Sequence, residues 1–494
     1  MDIKKALTLF GHKTFRGQQE AIIRRVISRK HCLILMPTGM GKSLCYQLPA
    51  IISENLTVVI SPLIALMKDQ VDSLSQQGID ATYINSSLSK TARETRYRNI
   101  SQGQYSLLFV TPERFRKKTF LESLAKRTID YLAVDEAHCI SQWGHDFRPD
   151  YTRISEFRQL LGNPTTIALT ATATPSVQQD IIRQLGLHEN EVKIYLDGIN
   201  RPNLHLQVKK VWELPSKIDH IIKLQKTVPG NGIVYFALIK TLEACSNHLQ
   251  EKGINHLVYH GRLEPKQRAK LQDKFMHGEN NLILATNAFG MGIDKDNIRY
   301  VIHAEIPASL EGYYQEIGRA GRDGKPSKCL LLYDEQDLLI QMDFIKWSNP
   351  EADLYRRVYS LLKDDPDPIN AYGVEGLKES IVKNRGDFRL ETVFSIFDRY
   401  GVTRGSLDQK NLAVCSELPQ HLADDEALKY KLLQDQKNLQ SMVEYANTKE
   451  CRNIVIHRYF GLTHSQPCGT CDCCLKQDSR YDCNKTRPCL NTVS

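Results

Sequence analysis

Apolar and polar positions alternate in blocks along the first two thirds of the chain. Short apolar runs at Leu33–Met36, Thr57–Ser61, Leu107–Val110, Tyr131–Val134 and Thr166–Leu169 predict strands. Amphipathic stretches between them, such as Ser43–Ile52 and Leu63–Gln77, predict helices. That alternation predicts βα units around a parallel sheet, an α/β fold. The rhythm restarts after Gly198, with strands at Gly232–Phe236, His256–Tyr259, Leu282–Ala285, Tyr300–His303 and Cys329–Tyr333 and a helix at Ser216–Lys226. Two similar α/β domains in tandem are the simplest account, with a boundary near Leu187–Asn203 where Pro202 suits a linker. After Tyr333 the pattern turns helical and less regular, with a Pro break inside Asp364–Asp367. The expected units are 1–198, 199–346, a helical 347–430, a cysteine-bearing 431–476 and a polar, flexible tail 477–494.

A length of 494 residues fits about three domains of ~150 residues. Hydrophobic residues, at 41%, are enough for ordinary cores, and no apolar run approaches the ~18 residues of a spanning helix. Met1-Asp2-Ile3-Lys4-Lys5 is charged and lacks the apolar region of a secretory signal, so a cytoplasmic protein is expected, nucleoid-associated if bacterial. A net charge of +8 fits a partner with a phosphate backbone, although modestly basic proteins are common. Cysteine changes the picture more. Seven of the 13 fall between Cys451 and Cys489, and four lie within Cys468–Cys474. In a reducing compartment that clustering points to a metal rather than to disulfides.

The chemistry begins at Met36-Pro-Thr38-Gly39-Met-Gly41-Lys42-Ser43, between an apolar strand and a helix. Backbone N–H groups at Gly39–Lys42 suit a β-phosphate, helped by the helix N-terminus. Lys42 would neutralise β/γ-phosphate charge and Ser43 would hold Mg²⁺. Met36 stands where the usual pattern has its first glycine. The strand Tyr131–Val134 then runs into Asp135-Glu136-Ala137-His138, placing two carboxylates at the sheet edge where ligands of such sheets sit. Asp135 would bind Mg²⁺, and Glu136 would orient and deprotonate an attacking water. At the other end, Cys451, Cys468, Cys471 and Cys474 have metal-knuckle spacing, and four thiolates suit a closed, structural Zn²⁺ site. Cys473 lies between two ligands and would point away; Cys483 and Cys489 are expected to be free.

On these residues the chain resembles a superfamily-two helicase, and specifically the RecQ family, over most of residues 1 to about 335 and the cysteine cluster. Phe10-Gly11 and Phe15-Arg16-Gly-Gln-Gln19 resemble that family's adenine-recognition segment, which makes Arg16 and Gln19 the implied adenine contacts. His12 stands where many members carry an aromatic residue. Ser61–Gln70, Thr111-Pro112-Glu113-Arg114 and Leu169–Ala173 continue the match. Cys139–Pro149 resembles the aromatic-rich loop specific to RecQ proteins: Trp143 and Phe147 offer faces to unpaired bases, each stack worth ~1–3 kcal/mol, with Arg148 beside them. Because the loop follows Asp135-Glu136 directly, DNA could reposition the acids.

Gln315–Gly324 resembles the family's last motor motif, with Arg322 as the implied arginine finger and Arg319 assisting. Ala285–Asp294 resembles another motif, in which Thr286 would touch the DNA backbone and Asp294 would face nucleotide or Arg322. Tyr259-His260-Gly261-Arg262-Leu263 departs from the usual Tyr-His-Ala-Gly-Leu, and Arg262 meets either phosphate or solvent. The resemblance implies two tandem RecA-like motor domains, ATP bridging them, Arg114 and the aromatic loop on DNA, and 3′ to 5′ movement. It also covers Cys451-Arg452 and Tyr459-Phe460-Gly461 of the zinc module.

Two departures stand out. Arg322 and Cys451 are 129 positions apart, and the extra stretch, about Ser348–Lys429, predicts helices at Leu354–Leu362, Val374–Lys383 and Arg389–Tyr400. It is either a winged-helix-like insert touching duplex DNA or a helical spacer. The chain also ends soon after Cys474, short of the winged-helix domain and small helical (HRDC) domain usual in the family, so a strand-separating wedge would come from elsewhere. The expected protein is a monomeric ATP-dependent DNA helicase of repair and recombination acting on single-stranded, forked or partial-duplex DNA, using ATP, Mg²⁺ and Zn²⁺. The alternatives are a DNA-stimulated translocase with weak unwinding, a zinc-stabilised DNA-binding or annealing protein, and an RNA helicase.

Overall fold

The computed structural model describes residues 2–37, 39–141, 151, 153–197, 200–278, 281–290, 293–378, 381, 386–463 and 466–476. The first α/β unit runs α1 (Ile3–Leu9), α2 (Gln19–Ile27), β1 (Cys32–Leu35), α3 (Leu44–Ile52), β2 (Leu56–Ile60), α4 (Ile64–Gln76), β3 (Ala81–Ile84), α5 (Lys90–Ser101), β4 (Leu107–Val110), α6 (Lys118–Leu124), β5 (Ile129–Val134), α7 (Ile154–Leu160), β6 (Thr165–Thr170), α8 (Pro175–Gln184) and β7 (Lys193–Leu196). Its strands form one sheet in the order β3-β4-β2-β5-β6-β1-β7. Every neighbouring pair is parallel. The central strands β1, β2 and β6 are buried at every position, because helices cover both faces.

The second unit repeats the plan: β8 (Leu204–Lys210), α9 (Glu213–Thr227), β9 (Asn231–Tyr235), α10 (Ile239–Glu251), β10 (Leu257–Tyr259), α11 (Pro265–His277), β11 (Leu282–Ala285), β12 (Ile298–His303), α12 (Leu310–Ile317), β13 (Ser327–Tyr333) and α13 (Asp337–Ser348). The sheet order is β10-β11-β9-β12-β13-β8, again all parallel. The expected apolar runs are the inner strands of both sheets, together with the edge strand β10. The strands not expected, β3, β7 and β8, are all near or at sheet edges.

Beyond the motor lie α14 (Ala352–Asp364), α15 (Asp367–Leu377), α16 (Arg389–Arg399), the antiparallel pair β14 (Thr403–Arg404) and β15 (Ala413–Val414), α17 (Asp425–Asn447) and α18 (Arg452–Tyr459). Tyr355, Val358, Leu390, Val393, Phe397 and Val402 give the insert its own core. Three helices followed by a hairpin is the order of the winged-helix-like reading. The second helix is broken at Gly373 (φ 65°, ψ −162°), so a segment starts at Val374 as expected and a further segment, from Asp367, precedes it. Pro366, the proline of the expected break, lies between α14 and α15 as the N-cap of the latter, and Pro368 occupies the first turn, where a missing N–H costs nothing. Helix α16 is not free: Phe388 at its N-cap meets the ring of Trp347 from α13 at 4.8 Å. Helix α17 runs through position 430, so insert and zinc module share one helix.

Candidate nucleotide site and zinc centre

Strand β1 ends at Leu35, and the chain turns through Gly39 and Gly41 into α3. Both glycines have positive φ, +85° and +79°. A Cβ at Gly41 would stand 2.6 Å from Gln19 Nε2, and one at Gly39 would stand 3.1 Å from Arg322 Cδ. The loop is thus a backbone cradle with no room for side chains. Gln19, buried, braces it: Nε2 donates to the carbonyls of Met40 (3.1 Å) and Gly41 (3.2 Å), while Oε1 accepts the Arg16 N–H (2.9 Å). Arg16 and His12 are exposed at the rim. Lys42 is buried, and its Nζ has no hydrogen-bond partner among the described residues. A buried ammonium aimed into an open pocket fits the charge of a phosphate chain.

Asp135 follows β5, its N–H donating to the Ile60 carbonyl (2.8 Å) and its Oδ1 accepting the Glu136 N–H (3.0 Å). Burial raises the Asp135 carboxyl, as does the Glu136 charge, against the pull of Lys42. Glu136 is buried in the left-handed region, φ 48° and ψ 48°. Its Oε2 lies 3.4 Å from His138 Nδ1, which also meets Thr170 Oγ1 at 3.0 Å. The acid pair is therefore linked to the end of β6. Sequence reading did not assign His138 a role; its place two residues after Glu136 was the available signal.

The second unit closes the pocket. Arg322 pairs with Asp294 (2.5 Å), and its Nε and Nη2 have no partner among the described residues. Burial pulls its guanidinium below the ordinary value, against Asp294. Arg319, buried, donates to the Gly290 carbonyl. One pocket of 310 Å³ is lined by Arg16, Gln19, Gly39, Gly41, Lys42, Ser43, Asp135 and Glu136 from the first unit and by Asp294, Gln315, Arg319 and Arg322 from the second. Of the expected DNA contacts, Arg114 is half-buried in the middle of the 3₁₀ turn Pro112–Arg116, and Thr286 is buried after β11. Thr38, Trp143, Phe147 and Arg148 lie outside the described residues, as do Cys483, Cys489 and the tail.

The cysteines meet where α18 begins. The Sγ atoms of Cys451, Cys468, Cys471 and Cys474 all lie within 4.8 Å of one another. Among them, Cys471–Cys474 are 3.4 Å apart, and Cys468–Cys474 and Cys451–Cys471 are each 4.0 Å apart. A tetrahedron with Zn–S of about 2.3 Å has S–S edges of roughly 3.8 Å, so the four thiols fit Zn²⁺. Cys473 points away, toward the Thr448 carbonyl at 3.6 Å. A feature not expected from sequence anchors the module: Asp472 pairs with Arg452 Nε (2.5 Å) and accepts the Val208 N–H of β8 (3.1 Å). Arg452 also donates to the Tyr445 carbonyl (2.8 Å). The ligand cysteines, Tyr445 and Phe460 belong to the same apolar core as β9, β11 and β13.

Three family matches follow this architecture: the DEAD/DEAH box helicase family at residues 16–181, the helicase conserved C-terminal domain at 215–324 and RecQ zinc-binding at 417–475. ATP-dependent DNA helicase RecQ of Bacillus subtilis (strain 168) is 37% identical over 475 residues, covering 96% of this chain and 66% of that protein. The probable ATP-dependent DNA helicase RecS of the same organism is 41% identical over 343 residues, 68% of each chain. The chain spans 62 to 66% of the length of the RecQ relatives it matches, just under two thirds. Among solved structures, Mycobacterium smegmatis helicase Lhr bound to ssDNA and AMP-PNP has the same fold, with a TM-score of 0.54, 18% identity, and coverage of 87% of this chain and 61% of that one. Among the described residues no helix is long and apolar enough to cross a membrane. With the cysteine cluster inside the zinc-binding match and the two motor matches meeting at one pocket, the chain belongs to the RecQ family of DNA helicases.

Proposed function

We propose that this chain is an ATP-dependent DNA helicase that hydrolyses ATP between its two α/β units and moves along single-stranded DNA. The observation that carries the reading is the single pocket that gathers Lys42, Asp135 and Glu136 from one unit with Arg319 and Arg322 from the other. In this reading Lys42 and the Gly39–Gly41 cradle hold the phosphates, and Arg16 and Gln19 meet the base. Ser43 and Asp135 hold Mg²⁺, which supplies charge neutralisation on the phosphates when bound. Glu136 accepts a proton from the attacking water. Arg322 leaves Asp294 for the γ-phosphate, where a finger is worth roughly 10³–10⁵-fold in rate in other NTPases. Closure on ATP and reopening after hydrolysis would step the units along a strand, 3′ to 5′ as in the family. Both halves of the pocket come from one chain, which supports a monomer. Zn²⁺ at the four cysteines is structural, since no ligand position stays open. We read the units as 1–198, 199–346, 347–430 and 431–476, with DNA contacts at Arg114, Trp143, Phe147, Arg148 and Thr286.

The test is ATP hydrolysis with and without single-stranded DNA, for wild type and Lys42→Ala, with forked-duplex unwinding on the same samples. Stimulated hydrolysis and strand separation, both lost in Lys42→Ala, are expected. Stimulation without separation would leave a translocase, and no hydrolysis would sink the motor reading.

A further inference from the structure

A second concave surface lies in the first unit, away from the nucleotide pocket. Helix α5 leaves the end of β3 and α6 leaves the turn after β4, so both start at the same sheet edge as Arg114 and run side by side down one face. Between them is a trough of 840 Å³. Lys90, Arg93, Arg98, Arg114, Lys117 and Lys126 line it, against two carboxylates, Glu94 and Glu122. Nearby Lys118 approaches Glu122 (3.9 Å), which spends part of that negative charge. None of the six cations pairs with a carboxylate among the described residues, and Arg114 Nε has no hydrogen-bond partner there. The floor is Tyr97, packed on Phe120 at 5.9 Å, and Ser101 Oγ donates to the Ser123 carbonyl (3.3 Å) where the helices converge.

Such a concentration of unpaired cations repels itself unless an anion lies in it. Lys90, Arg93, Tyr97 and Arg98 share one helical face at spacings of three, seven and eight positions, along a helix about 18 Å long. That is an extended row of positive charge suited to an extended row of negative charge, not a point site for one ion. Of the residues that line it, Tyr97 is the one large apolar side chain, so the trough offers charge rather than an apolar anchor. We propose that this trough binds the backbone of a single DNA strand as it leaves Arg114, extending the strand path beyond the motor cleft; this rests on the helicase reading above.

The test uses the full chain with Arg93→Glu/Arg98→Glu and, separately, Lys126→Glu, which sits in a turn and spares the helix. Oligo-dT probes of about 8 and about 30 nucleotides separate cleft from trough. Binding to the long probe should weaken at least about fivefold in both variants, and the slope of log affinity against log salt should shrink by about 0.7 per lost phosphate contact. Affinity for the short probe, and the hydrolysis it stimulates, should stay at wild-type level. Equal weakening on both probes, or no change on either, would overturn the trough. So would a polyglutamate probe whose binding is lost in the variants while long-DNA binding is intact, which would make this a protein-docking surface. Hydrolysis stimulated by the short probe reads the motor alone, so its absence in wild type would instead count against the helicase reading.

Discussion

Glu136 holds a backbone conformation that costs a non-glycine residue about 1–2 kcal/mol, and the turn keeps it because the next residues are fully buried. The turn aims the carboxylate into the pocket rather than along the sheet. Glu136→Gln keeps size and hydrogen bonding and removes the base. Nucleotide binding should persist while kcat for ATP falls by about 10²–10⁴-fold, as pre-steady-state hydrolysis would show; an unchanged kcat would remove Glu136 from the chemistry. A different acid nearby is structural. Asp130 on β5 pairs with Arg29 (2.8 Å) and accepts from Ser53 and Asn55. Burial alone would raise its carboxyl, but these partners hold it below the ordinary value. A depressed carboxyl contributes stability that is present above the unfolded value, about 3.9, and is lost as pH falls through the folded one. Asp130→Asn should therefore lower Tm at pH 7, and the gap to wild type should close as the melts move below about pH 4.

Elements were legible where one physical signal dominated. The strands β1, β2, β4, β5 and β6 are buried on both faces, so they read as unbroken apolar runs. Strand β8, Leu204–Lys210, alternates buried and half-buried positions and ends on two exposed lysines, because it is an edge strand. Strand β7 is an edge strand carrying exposed Lys193 and Ile194, and β3 is a four-residue edge. A search for apolar runs passes over all three. The cradle, the acid pair and the zinc ligands were legible because each is a local spacing. The Gln19 brace, the His138 link and the Asp472–Arg452 anchor were not, since each joins positions far apart or depends on which way a chain turns. The anchor makes a prediction at this scale. Asp472→Asn leaves the buried Arg452 guanidinium without its counter-charge, which should cost about 3–5 kcal/mol in denaturant melts. Zinc content should remain at one ion per chain, separating this loss from that of Cys471→Ser, which should lose metal and stability together.

At the scale of the whole molecule, the two α/β units touch at places where glycine leaves space. Arg322 enters the nucleotide pocket across Gly39. The second contact comes from the zinc module, which shares its core with the second unit yet reaches back to the first: a Cβ at Gly461 would stand 2.5 Å from Pro175 Cγ, at the start of α8. Helix α8 follows β6, whose Thr170 joins the His138–Glu136 link, so this contact sits one short segment from the acid pair. A side chain at Gly461 would wedge the module away from α8 and hold the units apart. Gly461→Val should raise KM for ATP several-fold with zinc content unchanged, because closing the pocket would have to overcome the wedge. Positive φ alone, +72° at this position, also strains a valine. Gly401→Val controls for that: Gly401 has φ +66° and open space where its Cβ would go. Equal loss of stability in both variants with a raised KM only in Gly461→Val would place the effect at the contact between units, whereas an unchanged KM would show that the zinc module does not govern closure.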